Sequence, residues 1–479
     1  MNLDNMTLQT PYLSLDEEFY KLTDPAPLEE PYLISFSHEA AKLIGLDSTA
    51  CEDPRLVELL NGTFIPEGSR PFSMCYAGHQ FGHFNPWLGD GRAINLGSAH
   101  GWNLQLKGSG ETYYSRSADG RAAVRSSIRE YLMSEAMHHL GIPTTRALGI
   151  IGSKTKIIRD RMENAAVVMR MSTSWVRFGT FEFFYYMGGK DKLEMLSEYV
   201  ISESYPHLKD DEDRYFKMFC EVVDRTASLI AAWQGIGFNH GVMNTDNMSI
   251  EGLTIDYGPY AMLDDFNYSY VCNNKDRLGR YSYGDQPNIS YWNLTQLSKA
   301  LSPIIPKERM QKKLDDFGAF IYPDAYLDVM RDKLGLAVKL DDDVELIKEL
   351  VGTLQDIFVD HTLFFRILSR YDGDRSPVYD IAMDPVILDK WLILYDERLS
   401  HETHTQAERQ KAMLKVNPKY ILKNYMLEEA IRLAERGDFS MVETLLCIAS
   451  HLFDELPEYE RFAGDTPEEP QNTGLHRSS

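Results

Sequence analysis

The chain has 479 residues, 43% hydrophobic and 25% charged, with a formal net charge of −23. That length supports a large core and two lobes, and so acidic a balance argues against a nucleic-acid partner, whose phosphates it would repel. No uninterrupted apolar run reaches membrane-spanning length, and Met1-Asn-Leu-Asp-Asn-Met6 lacks the order of a signal peptide, so the expectation is a cytoplasmic enzyme with no membrane partner.

Five scattered cysteines (Cys51, Cys75, Cys220, Cys272, Cys447), with no C-x-x-C pair, fit a reducing compartment and neither a disulfide framework nor a zinc site.

Residues 1–70 read as an irregular extension packed on the body, with a short helix from Ser37 stopped by Gly45. Residues 71–180 read as a β-rich nucleotide-binding lobe. In Cys75-Tyr-Ala-Gly-His-Gln-Phe-Gly-His83 the nearby glycines oppose a helix that would align His79 with His83, and no third metal ligand is evident; packing or hydrogen bonding is the better reading. Gly89 and Gly91 flank an acid in a strand-turn-strand setting, where backbone N–H groups can approach a phosphate, although Gly-Asp-Gly is also an ordinary hairpin turn. The alternating strand Trp102–Lys107 ends on a lysine that follows this glycine-rich turn, as a phosphate-contacting lysine does.

Asp119 reads as the N-cap of a helix that runs to Gly141-Ile-Pro143 and carries both Glu130 and Glu135; either could pair with Lys107. Strands around Ala147–Ile151 and Ala165–Arg170 complete the lobe. Arg170 and Arg177 could clamp polyphosphate oxygens or serve as surface ion-pair partners.

Residues 181–460 read as a helical lobe. The amphipathic stretch Tyr215–Gly235 delivers the chain to His240-Gly-Val-Met-Asn-Thr-Asp-Asn247, and Asp256-Tyr-Gly258 follows. Asn247 and Asp256 are oxygen donors of the kind that hold Mg²⁺ in kinases. The loop follows the His-Gly-Asp-x-x-x-x-Asn pattern of small-molecule kinases except that Val242 stands where they carry their base, while Asp246 immediately precedes Asn247. Asn267–Trp292 reads as a long functional loop, Leu294–Phe453 as successive amphipathic helices, and 461–479 as a mobile tail. The order of glycine turn, strand lysine, helical Glu, His-Gly loop with Asn, then Asp-x-Gly is that of an α+β, protein-kinase-like bilobal fold.

Several stretches resemble the selenoprotein O family, also called YdiU: Tyr76-Ala-Gly-His-Gln-Phe-Gly82, Leu88-Gly-Asp-Gly-Arg92, Leu106-Lys-Gly-Ser-Gly110, Asp119-Gly-Arg-Ala122, Gly141-Ile-Pro-Thr-Thr145, Asn239-His-Gly-Val-Met-Asn-Thr-Asp-Asn247 and Asp256-Tyr-Gly-Pro-Tyr260. The resemblance covers about residues 70–300. It implies a pseudokinase fold that binds ATP in a flipped orientation and transfers AMP to Ser, Thr or Tyr hydroxyls of proteins. On that reading Asp246 accepts the hydroxyl proton, and Asn247 and Asp256 hold Mg²⁺ or Mn²⁺. Lys107, paired with Glu130, contacts phosphate together with Arg170 and Arg177, and Gly89, Gly91, Arg92, Asp119 and Gly120 line the rest of the nucleotide site. A monomer is expected. The alternatives are Mn²⁺-dependent UMP transfer from UTP, or a catalytically weak nucleotide-sensing pseudokinase. Two departures stand out. The segment between Arg92 and Lys107 looks shorter than the family's, and the chain ends His476-Arg-Ser-Ser479 where the family commonly has Cys or selenocysteine before Ser-Ser, which puts a redox link to Cys272 in doubt.

Overall fold

The computed structural model describes residues 2–467. The chain is mixed α/β, with a sheet-rich part followed by a helical part. The expected mobile tail lies partly outside the described residues, as does Arg477. Within them, residues 461–467 run against the body: Phe462 is buried, and the Gly464 carbonyl accepts from Lys423 Nζ at 3.1 Å.

Ten strands come first: β1 (Tyr20–Leu22), β2 (Tyr32–Phe36), β3 (Phe72–Met74), β4 (Gly78–Gln80), β5 (His83–Asn85), β6 (Ala93–Ala99), β7 (Trp102–Lys107), β8 (Ala122–Ala123), β9 (Arg146–Ile158) and β10 (Met162–Ser172). The main sheet runs β1-β3-β6-β7-β10-β9-β2, with β8 on β10; β4 and β5 pair separately as a hairpin. The first seventy residues therefore do more than pack on the body, since β1 and β2 close the two edges of the sheet. Edge strands invite association, and a short one such as β1 or β2 offers few unpaired backbone groups.

Strand alternation divides the sheet into two chemically different faces. Leu96, Leu104, Leu106, Val167, Met169 and Met171 share a core with Leu56, Leu59 and Leu60 of the N-terminal region. On the opposite face, register places Arg170 beside Gln105, and Gln105 beside Asn95, with Lys107 two residues along. The result is a row of polar side chains on a central strand, turned away from the apolar core. That face is the wall of the cleft.

Helix α1 (His38–Leu43) is followed by Gly45, whose φ of 72° suits a glycine. Helix α2 spans Arg55–Asn61, and α3 spans Val124–His139. Asp119 is not the N-cap of α3. Ala122 and Ala123 pair with Ala166 and Ala165, so the chain stays extended and Ala123 takes the cap position. Asp119 instead closes a turn by accepting from the Arg121 N–H at 3.0 Å.

The helical part opens with α4 (Phe178–Met187), α5 (Lys190–Ser204) and α6 (Arg214–Ile236). Apolar positions of α6, including Phe219, Val222, Val223, Ile230 and Trp233, are buried along one stripe. It ends at Gly237 in the left-handed conformation. Phe238–Asn239 then pair with Ala261–Met262, so the intervening loop leaves and re-enters at one place. Asn267–Trp292 is irregular only in its first part: α7 (Gln286–Leu301) starts inside it, with a proline in its first turn, where the ring fits the helix and no N–H is lost. The buried Gln286 side chain accepts from His240 N–H at 2.9 Å and donates to the Phe238 carbonyl at 3.0 Å, tying α7 to the loop. Further helices span residues 307–449. Among the described residues no helix is long and apolar enough to cross a membrane.

Candidate active site

A cleft of 740 Å³ lies between the polar face of the sheet and the 240–258 loop. Its lining brings together Gly89, Gly91, Arg92, Lys107, Asp119, Gly120, Arg170, Arg177, Asp246, Asn247 and Asp256. Glu130 stands just behind, reaching the cleft through Lys107.

The glycine turn is built on close approach. A side chain at Gly89, whose φ is 71°, would meet the Tyr114 ring at 2.3 Å. Asp90 between the glycines is buried, and its carboxylate accepts from Met74 N–H and Asn95 Nδ2, both at 3.0 Å. The acid therefore anchors the turn to the sheet, leaving the glycine backbone at the cleft surface.

Lys107, at the end of β7, meets Glu130 of α3 at 2.7 Å. Glu135 has a different task. It accepts two bonds from buried Arg146 at 2.8 and 2.7 Å and one from Ala147 N–H at 3.1 Å, pinning α3 to β9. Of the two glutamates left open by sequence, Glu130 belongs to the lysine.

Asp256 receives three cations. Arg170 and Lys107 reach Oδ1, the latter at 3.4 Å, and Arg177 reaches Oδ2. Arg170 also bonds Glu130 at 2.9 Å and stacks on Trp175, and Arg177 stacks on Tyr76 and donates to the Asp246 carbonyl at 2.8 Å. The arginines are nearly fully buried, so neither is a surface ion-pair residue. Burial alone would raise the Asp256 pKa, but Arg177, Arg170 and Lys107 outweigh it and hold the carboxyl well below its ordinary value. Asp256 also has a φ of 58°, which costs a non-glycine residue about 1–3 kcal/mol and persists only where the surroundings enforce it. The cation cluster does so.

Asp246 has the opposite environment. Burial pushes its pKa up to about 7, against Arg177 and a bond from Gln80. Gln80 Nε2 donates to Oδ2 at 3.2 Å, while Oδ1 is buried without a donor. Asn247 is fixed by donation from Nδ2 to the Val242 carbonyl at 2.9 Å. At the far end of the cleft, Asp119 is engaged by Arg159 at 2.8 and 2.9 Å, which holds its carboxyl below its ordinary pKa. Arg92 is exposed at the rim.

A family model described as "Protein adenylyltransferase SelO" matches residues 2–449. The chain belongs to the SelO/YdiU family. Curated SelO/YdiU relatives agree over nearly the full length. A "Protein nucleotidyltransferase YdiU" of Myxococcus xanthus is 44% identical over 474 residues, covering 97% of each chain. Another of that name, from Thioalkalivibrio sulfidiphilus, is 45% identical over 490 residues, covering 100% of this chain and 99% of its own. The match thus extends well beyond the motifs at 70–300 that carry the resemblance.

Sequence reasoning gave no role to Gln80, which touches Asp246 across 166 positions of chain. Gly78, a glycine inside a strand, was the available signal, because such glycines mark places where another backbone or ligand comes close. His79 hydrogen-bonds to Glu182 at 2.5 Å, while His83 is exposed.

Proposed function

We propose that this chain is a protein nucleotidyltransferase that moves AMP from ATP to Ser, Thr or Tyr hydroxyls, binding ATP in flipped orientation in a kinase-like cleft. The observation that carries the reading is a buried carboxylate, Asp246, held by a neutral donor in the same cleft as three buried cations gathered on Asp256. The acceptor hydroxyl oxygen attacks the α-phosphorus while its proton passes to Asp246. The bond from the α-phosphorus to the α,β-bridging oxygen breaks, and pyrophosphate leaves with that electron pair. Lys107, Arg170 and Arg177 neutralise the phosphate charge, preorganised so that little reorganisation is needed at reaction. Gly89, Gly91, Arg92, Asp119 and Gly120 contact the remainder of the nucleotide. Val242, at the usual kinase base position, takes no part, which speaks against ordinary phosphoryl transfer.

Asn247 and Asp256 would hold Mg²⁺ or Mn²⁺. They fit such a cation: one is an amide, the other a carboxylate kept ionised at the cleft wall, and both are hard oxygen donors. Among the described residues no group of three or more His, Cys, Asp or Glu could hold a metal, so phosphate and water would fill the rest of the shell. When bound, the ion supplies further neutralisation of the phosphates.

The description of the family model favours AMP; the relatives' shared name specifies no nucleotide. Mass spectrometry of protein incubated with ATP or UTP, in Mg²⁺ or Mn²⁺, tests the choice. An AMP adduct on a Ser, Thr or Tyr is expected. A UMP adduct formed with Mn²⁺ alone would replace ATP by UTP, a phosphate adduct would make the chain a kinase, and no adduct would leave a nucleotide-sensing pseudokinase.

A further inference from the structure

The stretch Tyr76–Gly82 has no part in the reaction just described, yet three of its consecutive residues bond three consecutive residues of the catalytic loop. The His79 N–H donates to Thr245 Oγ1 at 2.7 Å. Gln80 Nε2 donates to Asp246 Oδ2 at 3.2 Å. The Phe81 N–H donates to Asn244 Oδ1 at 3.3 Å and to Tyr281 Oη at 2.9 Å, and that phenol donates in turn to Asn244 at 2.7 Å. A second layer closes the first. The Thr245 hydroxyl donates to Glu182 of α4, whose other oxygen meets His79 Nδ1 at 2.5 Å, and His79, Glu182 and Thr245 are all buried. Hairpin, loop and helix thus share one hydrogen-bonded ring immediately beside Asp246.

The approach is as close as backbone allows. A Cβ on Gly78 would lie 2.4 Å from Asp246 Oδ1, and one on Gly179 would lie 2.1 Å from the Ala77 carbonyl and 3.3 Å from Asp246 Cα. Any side chain at position 78 would push the carboxylate aside.

We propose that the β4–β5 hairpin is a staple that positions the Asp246 carboxylate, with Gln80 as its positioning residue. The proposal rests on Asp246 being the acceptor of the hydroxyl proton. The terminal torsion of an aspartate is broad and two-fold, so a carboxylate without a partner samples many orientations. Gln80 fixes one oxygen with a neutral donor, adding no charge to the pocket. The other oxygen faces Gly78 and has no protein donor. This accounts for the glycine, the glutamine and the histidine of the stretch together.

The test measures pyrophosphate release from ATP by the full chain, whether the acceptor is protein or water. Gln80→Met keeps the length of the side chain and removes the donor. It should lower kcat about tenfold to a hundredfold, the cost of a misplaced reacting group, while nucleotide Kd and Tm stay at the wild-type values. In an Asp246→Ala background the same change should cost nothing further, since its effect runs through the carboxylate. Unchanged kcat in Gln80→Met, with Asp246→Ala inactive, would overturn the staple and leave the proposed reaction standing. A fall in kcat matched by loss of nucleotide affinity and Tm would reduce Gln80 to a structural residue. Full activity in Asp246→Ala, or no pyrophosphate release by wild type, would instead sink the reaction reading, and the staple with it.

Discussion

Asp246 and Asp256 are ten positions apart in one loop and face one cleft, yet their surroundings pull them in opposite directions. Asp256 sits among Arg170, Arg177 and Lys107 and stays ionised far into acid. Asp246 is buried against Gly78, with one neutral side-chain donor, and burial pushes its pKa up to about 7. The same side chain is thus held as a fixed anion in one place and, on the proposed reaction, serves as the proton acceptor in the other. Enzymes that need both roles separate them in this way, by environment and not by residue type.

The largest effects should come from deleting each acid. Asp246→Ala should slow nucleotide transfer by about a hundredfold to ten-thousandfold, the usual worth of a general base, with the fold intact by circular dichroism. Asp256→Asn should act on stability as well, because it takes the carboxylate from buried Arg177 and leaves Lys107 and Arg170 to share Glu130; removing one partner of a buried ion pair costs about 3–5 kcal/mol in denaturant unfolding. If Asp256→Asn unfolds at the wild-type denaturant midpoint, the cluster is not held together as described.

The pH dependence of stability should separate the two acids by sign. Asp256, whose folded pKa lies below its ordinary value of 3.8, contributes stability that is present at neutral pH and lost as pH falls below that value. Asp246 is raised, so between about pH 4 and 7 the folded state holds a proton that the unfolded state has lost, and stability falls as pH rises through that window. Asp246→Asn should flatten this fall, and Asp256→Asn should flatten the acid-side loss. Equal slopes in both variants would contradict the assignment.

Transfer rate under saturating nucleotide should rise with pH and level off above about 7. Arg177 lowers the Asp246 pKa, so Arg177→Gln should move that levelling point to higher pH, in addition to any loss of nucleotide affinity.

What the sequence revealed and what it hid follow from range. Lys107 could be placed at a strand end, and Glu130 on a helix, from local periodicity, because alternation and capping act over a few residues. Local pattern left Glu130 and Glu135 equivalent, and only the family resemblance pointed to Glu130, since the choice depends on where β9 presents Arg146. The sheet edges escaped notice for the same reason: Tyr20–Leu22 and Tyr32–Phe36 are short, and their partners Phe72–Met74 and Gly149–Gly152 are dozens of residues away. Asp119 looked like a helix cap because its local sequence suits one, but pairing of Ala122 and Ala123 with β10 overrode that preference. Arg170 and Arg177 could equally have been surface residues until the fold buried them against Trp175 and Tyr76.

On the proposed reaction the cleft transfers a nucleotidyl group, with Asp246 as proton acceptor and the cation cluster on the departing phosphates. The most direct measurement incubates the protein with Mg²⁺ and ATP labelled at either the α- or the γ-phosphorus, beside Asp246→Ala. Label retained on protein only from the α position, and lost in the variant, is the predicted result. Label retained from the γ position would contradict it and make the cleft that of a kinase.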